Sequence, residues 1–425
     1  MKDPDMIKRH AFAAAAVAMV PLLASAPLAV AGTADAGART KTTPRGMIIT
    51  PSSNLRLPGR ASTNVELFQP KGRGLRSASP SGNFETPASL ACVYGVTKHT
   101  AGCNPMTLTT VANGGGGMIA IVDAYDNPNA ASDLSVYSQQ FGLPPVTSDN
   151  FAVVYAAGTQ PPQDPSGGWE VEESLDVDMA HGLAPHAKVV LVEAASAYLD
   201  DLEKAEKIAT ALVEAAGGGE VSNSWATGEF STEAQLEGIF RRKHVVVFAS
   251  AGDSPGPGVP AGLPDVISVG GTSIIRSASG DLIGEKTWLD TGGGLSAIIP
   301  APAYQAAVAN VVGTHRGQPD IAADANPETG VWFYDTVPYG GQVLDWAVVG
   351  GTSVASPATA AMINAAGKFK LSTTDELIGM YAELGNSKAF KDITAGLCGN
   401  NALGRATIGY DLCTGIGAPF GAIGK

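Results

Sequence analysis

Charge is the first thing this chain of 425 residues has little of. Asp, Glu, Lys and Arg make up 16% of it, and the balance is acidic, with a formal net charge of −13 and a pI near 4.9. A chain without a positive surplus has no electrostatic means of holding nucleic acid or an anionic membrane, so neither is expected as a main partner. Long apolar runs are scarce too. The one candidate runs from Ala11 to about Leu23; it is short for a bilayer span, and the region is broken by Pro21 and Pro27. Lys8, Arg9 and His10 precede it, and Ala29-Val30-Ala31 follows as an A-x-A pattern. That combination reads as a secretory signal at 1–31, cut before Gly32, and predicts an extracellular protein with no stable membrane association afterwards. Internal repeats are absent. Cysteine is limited to Cys92, Cys103, Cys398 and Cys413. An even count behind a signal favours disulfides. Three pairings are possible, and the two that close short loops, Cys92–Cys103 and Cys398–Cys413, are expected. Neither pair has C-x-x-C spacing, which argues against a metal site. No feature demands an oligomer, so a monomer is the default.

What the chain does have is apolar residues, 44% of the total, enough for a large core. Its length suits one large α/β domain or two ordinary ones. The 52 glycines imply many tight turns. Residues 32–88 stand apart. They are rich in Pro, Ser, Gly and Arg, show no helix or strand period, and read as a linker or short pro-segment, largely disordered. The main domain is expected at 89–425. There, apolar strands at Met118–Asp123, Phe151–Val154, Val189–Val192, Val221–Trp225, Val245–Ala249 and Val266–Val269 alternate with helical stretches at Asn129–Phe141, Glu170–His181, Asp200–Ala216 and Thr232–Arg241. Such alternation predicts an α/β fold, with a mostly parallel central sheet between helices on both faces. Continuous apolar strands fit burial on both faces, and sites in such sheets gather beyond the carboxyl ends of the strands.

Four constellations carry possible chemistry. Gly350-Gly351-Thr352-Ser353-Val354-Ala355-Ser356-Pro357 is a tight turn entering an Ala-rich helix from Ser353 to about Gly367. A serine there has helix N–H groups around it that can hold an oxyanion; a plain N-cap is the ordinary alternative. Glu172 and Asp176 are four apart, so they share one helix face, with Glu173 pointing elsewhere. The alternative is a solvated acidic face, but Leu175, Val177, Met179, Ala180 and Leu183 argue for burial. Asp253 follows a buried strand in Ser250-Ala251-Gly252-Asp253-Ser254. It is either a turn residue or a neutral carboxyl able to donate to an oxyanion. Near the C-terminus, Asp392-Ile393 and Thr407-Ile408-Gly409-Tyr410-Asp411 offer carboxylates and carbonyls suited to calcium, or ordinary Asx turns.

Together these motifs resemble the sedolisins, the serine-carboxyl peptidases, which have a subtilisin-like three-layer fold. The resemblance runs from about Leu90 to Gly421 through EESLDVDMAHGLAPHA, VSNSWATGE, FASAGDS, VISVGGTS, GGGLSAIIPAPAYQ, QPDIAADANP, GGTSVASP, KDITAG and GYDLCTGIG, in the family's order. It implies Ser353 as nucleophile, Glu172 as general base and acid, Asp176 as its orienting partner and Asp253 as the oxyanion carboxyl. It implies Asp123 and Trp225 as groups that bond around the catalytic Glu. It implies one structural calcium ion held by the side chains of Asp392 and Asp411 and the carbonyls of Ile393, Thr407 and Gly409. Thr407 stands where the family usually has Gly. The family also usually carries a long folded pro-domain, and 32–88 is too short for one. The implied substrates are polypeptides, cut in acid. Protonation silences a histidine base at low pH, whereas a carboxylate with a matched pKa still accepts a proton. Two other readings are open: a subtilisin-type peptidase using Asp123, His181 and Ser353, and a non-catalytic binding protein on a peptidase scaffold.

Overall fold

The computed structural model describes residues 35–399 and 404–423, and the expected signal segment at 1–31 lies outside these described residues. The strands β1 (Arg39–Thr42), β2 (Gly46–Thr50), β3 (Ser62–Thr63) and β4 (Glu66–Pro70) precede helix α1 (Pro87–Val93). Next come β5 (Met118–Ala124), α2 (Ala130–Phe141), β6 (Phe151–Tyr155), α3 (Gly168–Leu183), β7 (Lys188–Ala194), α4 (Leu199–Ala215) and β8 (Gly219–Asn223). The short β9 (Trp225–Ala226) and α5 (Glu237–Phe240) lead to β10 (Val245–Ser250), β11 (Ile267–Arg276) and β12 (Leu282–Thr287). They are followed by β13 (Gly294–Pro300), α6 (Ala309–Val312), β14 (His315–Gln318), β15 (Ile321–Asp324), β16 (Val331–Asp335) and β17 (Asp345–Gly350). Helices α7 (Thr352–Ala365) and α8 (Thr373–Ala382) and the short strands β18 (Phe390–Lys391) and β19 (Ala418–Pro419) end the described chain.

The central sheet has the order β12-β11-β10-β8-β5-β7-β6, with β15 also paired to β11. Every pair in it is parallel except β11–β12. Side chains alternate across the strands, so one face of β5 carries Ile119 and Ile121 and the other Ala120 and Val122. The first face packs on α3 and α7, the second on α4, giving three layers. The expected α/β architecture is therefore found. The same alternation puts Asp123 on the α3 face, and Glu193 stands beside it in register on β7. Both expected disulfides are present, Cys92–Cys103 and Cys398–Cys413, with Cα atoms 5.5 and 5.6 Å apart.

Three expectations need correction. The disorder expected across 32–88 is not found over the described 35–88: β2 pairs with β1 and β4, and β4 pairs with β17, the strand that leads into Ser353. Ile48, Val65, Leu67 and Phe68 are buried there. A few apolar residues suffice because the edge they complete belongs to a strand some 280 positions away, which no local period can reveal. The helix expected across Thr232–Arg241 is a 3-10 turn at Glu233–Leu236 followed by the single turn of α5. The strand expected across Val221–Trp225 is interrupted at Ser224, where the chain changes sheets from β8 to β9.

Candidate active site

Three elements converge beyond the carboxyl ends of the parallel strands: α3, the loop after β10, and the start of α7. Gly351 turns the chain into α7 with φ 105°, a left-handed value that favours glycine. A Cβ at Gly351 would lie 2.0 Å from the Asn64 carbonyl oxygen and 2.6 Å from Asp253 Oδ2, so the turn admits no side chain. Ser353 follows, fully buried, with its hydroxyl donating to the Ser224 carbonyl at 3.2 Å. Pro357 lies one turn further along α7 and has no N–H for the Ser353 carbonyl. The Ser224 hydroxyl approaches that carbonyl at 3.4 Å and also donates to Asp176 Oδ1 at 2.9 Å. Ser224 thus ties the Ser353 turn to α3. It was not singled out in the sequence, although it sits in VSNSWATGE, because a serine in a strand carries no distinctive signal.

Every residue of α3 is buried, so the solvated-face alternative for Glu172 and Asp176 fails. Glu172 is pushed above the ordinary carboxylate range by burial and then by the nearby Asp123, while the neighbouring Ser353 hydroxyl acts the other way. Its Oε2 accepts the Asn64 N–H at 3.3 Å. Asp176 is raised by burial, Asp123 and Glu172, in that order. Asp123 is pushed to about 8 by burial, and neither of its oxygens meets a donor among the described residues. Trp225 is buried on β9 with its indole N–H likewise unpartnered. Asp123 is thus close enough to raise the carboxylate pair, but neither it nor Trp225 bonds directly to Glu172. Glu173 does not point to solvent; it is buried beside Glu193 and Glu170 and raised by burial and then by those two.

Asp253 Oδ1 accepts the N–H and the hydroxyl of Thr352 at 2.7 and 2.9 Å. Its Oδ2 is buried without a partner, and burial, followed by Glu66, raises its pKa. Burial of that oxygen thus favours a proton on it, the state in which a carboxyl can donate. His181 lies elsewhere. Its Nε2 meets the Pro144 carbonyl at 3.2 Å, its Nδ1 has no partner among the described residues, and burial lowers its pKa. The Asp123/His181/Ser353 arrangement is therefore not assembled.

The C-terminal group forms a second cluster. Asp392 Oδ2 accepts the Gly409 N–H at 2.9 Å, and Asp411 Oδ2 accepts the Thr407 N–H at 2.9 Å. Asp411 Oδ1 takes the N–H groups of Cys413 and Thr414, each at 2.9 Å. Both carboxylates thus close on the 407–411 loop. Among the described residues, no backbone donor reaches the carbonyls of Ile393, Thr407 or Gly409. An all-oxygen set of two carboxylates and free carbonyls fits a hard cation. The backbone at Thr407 is not left-handed, so its side chain is accommodated where glycine is usual.

No family model matches the chain. It is 32% identical over 348 residues to kumamolisin of Bacillus sp. (strain MN-32), a match that covers 73% of this chain and 59% of that protein. Over 108 residues it is 38% identical to sedolisin of Pseudomonas sp. (strain 101), covering 23% of this chain and 17% of the relative. The chain thus spans under two thirds of either curated relative. Among solved structures, Pseudomonas sedolisin (serine-carboxyl proteinase) complexed with two molecules of pseudo-iodotyrostatin superposes with a TM-score of 0.63 at 22% identity, covering 80% of this chain and 96% of that one. That likeness is one of fold.

Proposed function

This chain belongs to the sedolisin family, with its subtilisin-like fold, and on that premise we propose that it is a secreted serine-carboxyl peptidase that hydrolyses polypeptides in acid. The observation that carries the proposal is the gathering of the buried Glu172 and Asp176 and the half-buried Asp253 around the turn that presents Ser353. Ser353 attacks the scissile carbonyl and passes its proton to Glu172. Asp176 shares a proton with Glu172, so the pair holds one negative charge and titrates as a unit. The developing oxyanion is held by the Ser353 N–H and the protonated Asp253. Glu172 returns the proton to the leaving amine, and water then hydrolyses the acyl-enzyme. The raised pKa of Asp253 supports an acid optimum, because Asp253 donates only while it keeps its proton.

One calcium ion is part of the proposal, held by the side chains of Asp392 and Asp411 and the carbonyls of Ile393, Thr407 and Gly409. It would neutralise the two carboxylates and pin the C-terminal loop. Secretion rests on the basic, apolar and A-x-A features before Gly32. A peptide aldehyde, which forms a reversible hemiacetal on a nucleophilic serine, tests the chemistry. It should inhibit the acid-treated wild type and fail to bind Ser353→Ala; equal binding to both would overturn the proposal.

A further inference from the structure

Residues Ala61–Val65 are buried in the catalytic cleft, and their contacts are those of a substrate rather than of a structural loop. The Ala61 N–H donates to the Ala197 carbonyl at 2.9 Å. Ser62 and Thr63 then pair antiparallel with Ala226 and Trp225, so an extended strand enters along β9. At Asn64 the strand crosses the chemistry. Its N–H donates to Glu172 Oε2 at 3.3 Å, and its carbonyl accepts the Ser353 N–H at 3.2 Å. That carbonyl oxygen and Asp253 Oδ2 pack against the same face of Gly351. Two oxygens so placed are compatible when one of them carries a proton, which is the state Asp253 needs as an oxyanion donor. Beyond Val65 the chain leaves as β4, held between β2 and β17. Both flanks of the Asn64–Val65 bond are therefore fixed while its carbonyl accepts the Ser353 N–H.

We propose that Asn64–Val65 is this enzyme's first substrate bond, cut in cis by Ser353, and that Ser250 reads the side chain preceding the cut. This rests on the peptidase reading above. The Asn64 side-chain amide donates to Ser250 Oγ at 2.8 Å, and Ser250 is buried at the end of β10, three residues before Asp253. A buried hydroxyl there favours a short uncharged polar side chain, because an apolar one leaves it unpaired. In the step itself, Ser353 Oγ bonds to the Asn64 carbonyl carbon and its proton goes to Glu172. The C–N bond to Val65 breaks as Glu172 gives that proton to the Val65 nitrogen. Water, giving up a proton to Glu172, hydrolyses the ester and leaves a carboxyl group on Asn64 and a free Ser353. A cavity of about 300 Å³ lined by Arg56, Asn64, Glu66 and Asp253 lets water reach the ester. Until the cut, the strand keeps other chains out of the cleft. Afterwards the piece ending at Asn64 stays seated through β2 and β3 until those strands separate from β4 and β9.

The test uses the full chain. Wild type and Ser353→Ala are purified at neutral pH, shifted to acid and followed by intact mass and N-terminal sequencing, alongside digestion of an unrelated unfolded protein. The wild type should yield a new N-terminus at Val65, with a first-order rate unchanged over a tenfold range of protein concentration, while Ser353→Ala stays whole. With processed enzyme, Ser250→Ala should lower the ratio of kcat/KM for an Asn peptide over its Ala counterpart roughly tenfold, the scale of one lost hydrogen bond. A wild type that digests the unfolded protein but leaves Asn64–Val65 intact overturns this inference and leaves the peptidase reading standing. One that digests neither overturns both. A rate proportional to enzyme concentration overturns the cis assignment.

Discussion

Helices α3 and α4 pack on opposite faces of one sheet and deal with their carboxylates in opposite ways. On α4 the buried apolar residues Leu202, Ala205, Ala209 and Val213 form one stripe, and Asp200 and Asp201 occupy the first turn, where the helix dipole favours them. One acid, Glu206, turns inward against the sheet and is pushed to about 8 by burial. On α3 inward-facing acids are the rule: Glu170, Glu172, Glu173, Asp176 and Asp178 are all buried, and burial raises every one of them. Water solves the problem for α4, and protons solve it for α3. A helix that buries five acids does so at a cost in stability, and that cost makes sense where the acids carry the chemistry.

The largest expected effect breaks the comparison at its centre. Glu172→Gln should lower kcat in acid by roughly 1,000-fold, within the range of a lost general base, and leave the fold intact. Glu203→Gln on the partly exposed side of α4 should change kcat less than twofold. Steady-state kinetics on a peptide substrate checks both, and comparable losses would erase the distinction. Next, Asp253→Ala should lower kcat roughly 100- to 1,000-fold, the scale of one missing oxyanion donor, with KM little changed.

The third effect is on stability. Asp123, Glu170, Glu193 and Asp335 have folded pKa values raised from the ordinary carboxylate range to about 8, through burial first of all. Between about pH 4 and pH 8 the native state then binds more protons than the unfolded chain. Stability is fully present in acid and falls as pH rises through that window. Tm should drop from pH 5 to pH 8, and Glu173→Gln should flatten the drop. A Tm that climbs with pH would contradict the account. The smallest effect separates a third solution, a cation, from the other two. Chelation should lower Tm by a few degrees, roughly 2–4 °C per kcal/mol of ion binding lost, and Asp392→Asn should abolish that sensitivity. An Asp392→Asn protein as chelator-sensitive as the wild type would dismiss the calcium site.

The parallel sheet was legible from alternating apolar strands and helices, and both disulfides from loop length. The order of motifs pointed to the family, and the i, i+4 spacing of Glu172 and Asp176 to one helix face. Other parts depended on distant partners. β1, β2 and β4 carry few apolar residues because β17 completes their edge. Ser224 and Asn64 become site residues only when β3, β9, α3 and α7 meet. Helical spacing alone puts Glu173 off the Glu172/Asp176 face, and only the packing of α3 between sheet and neighbours buries it as well. The break at Ser224 and the 3-10 turn before α5 are local departures that strand and helix periods do not encode.

The most direct test of the central claim is the pH dependence of kcat/KM from pH 3 to 9 for acid-processed wild type and His181→Ala, with acid-treated Glu172→Gln and Ser353→Ala alongside. The account predicts an acid maximum retained in His181→Ala and lost in both others. A neutral maximum that disappears with His181 and survives Glu172→Gln would contradict it.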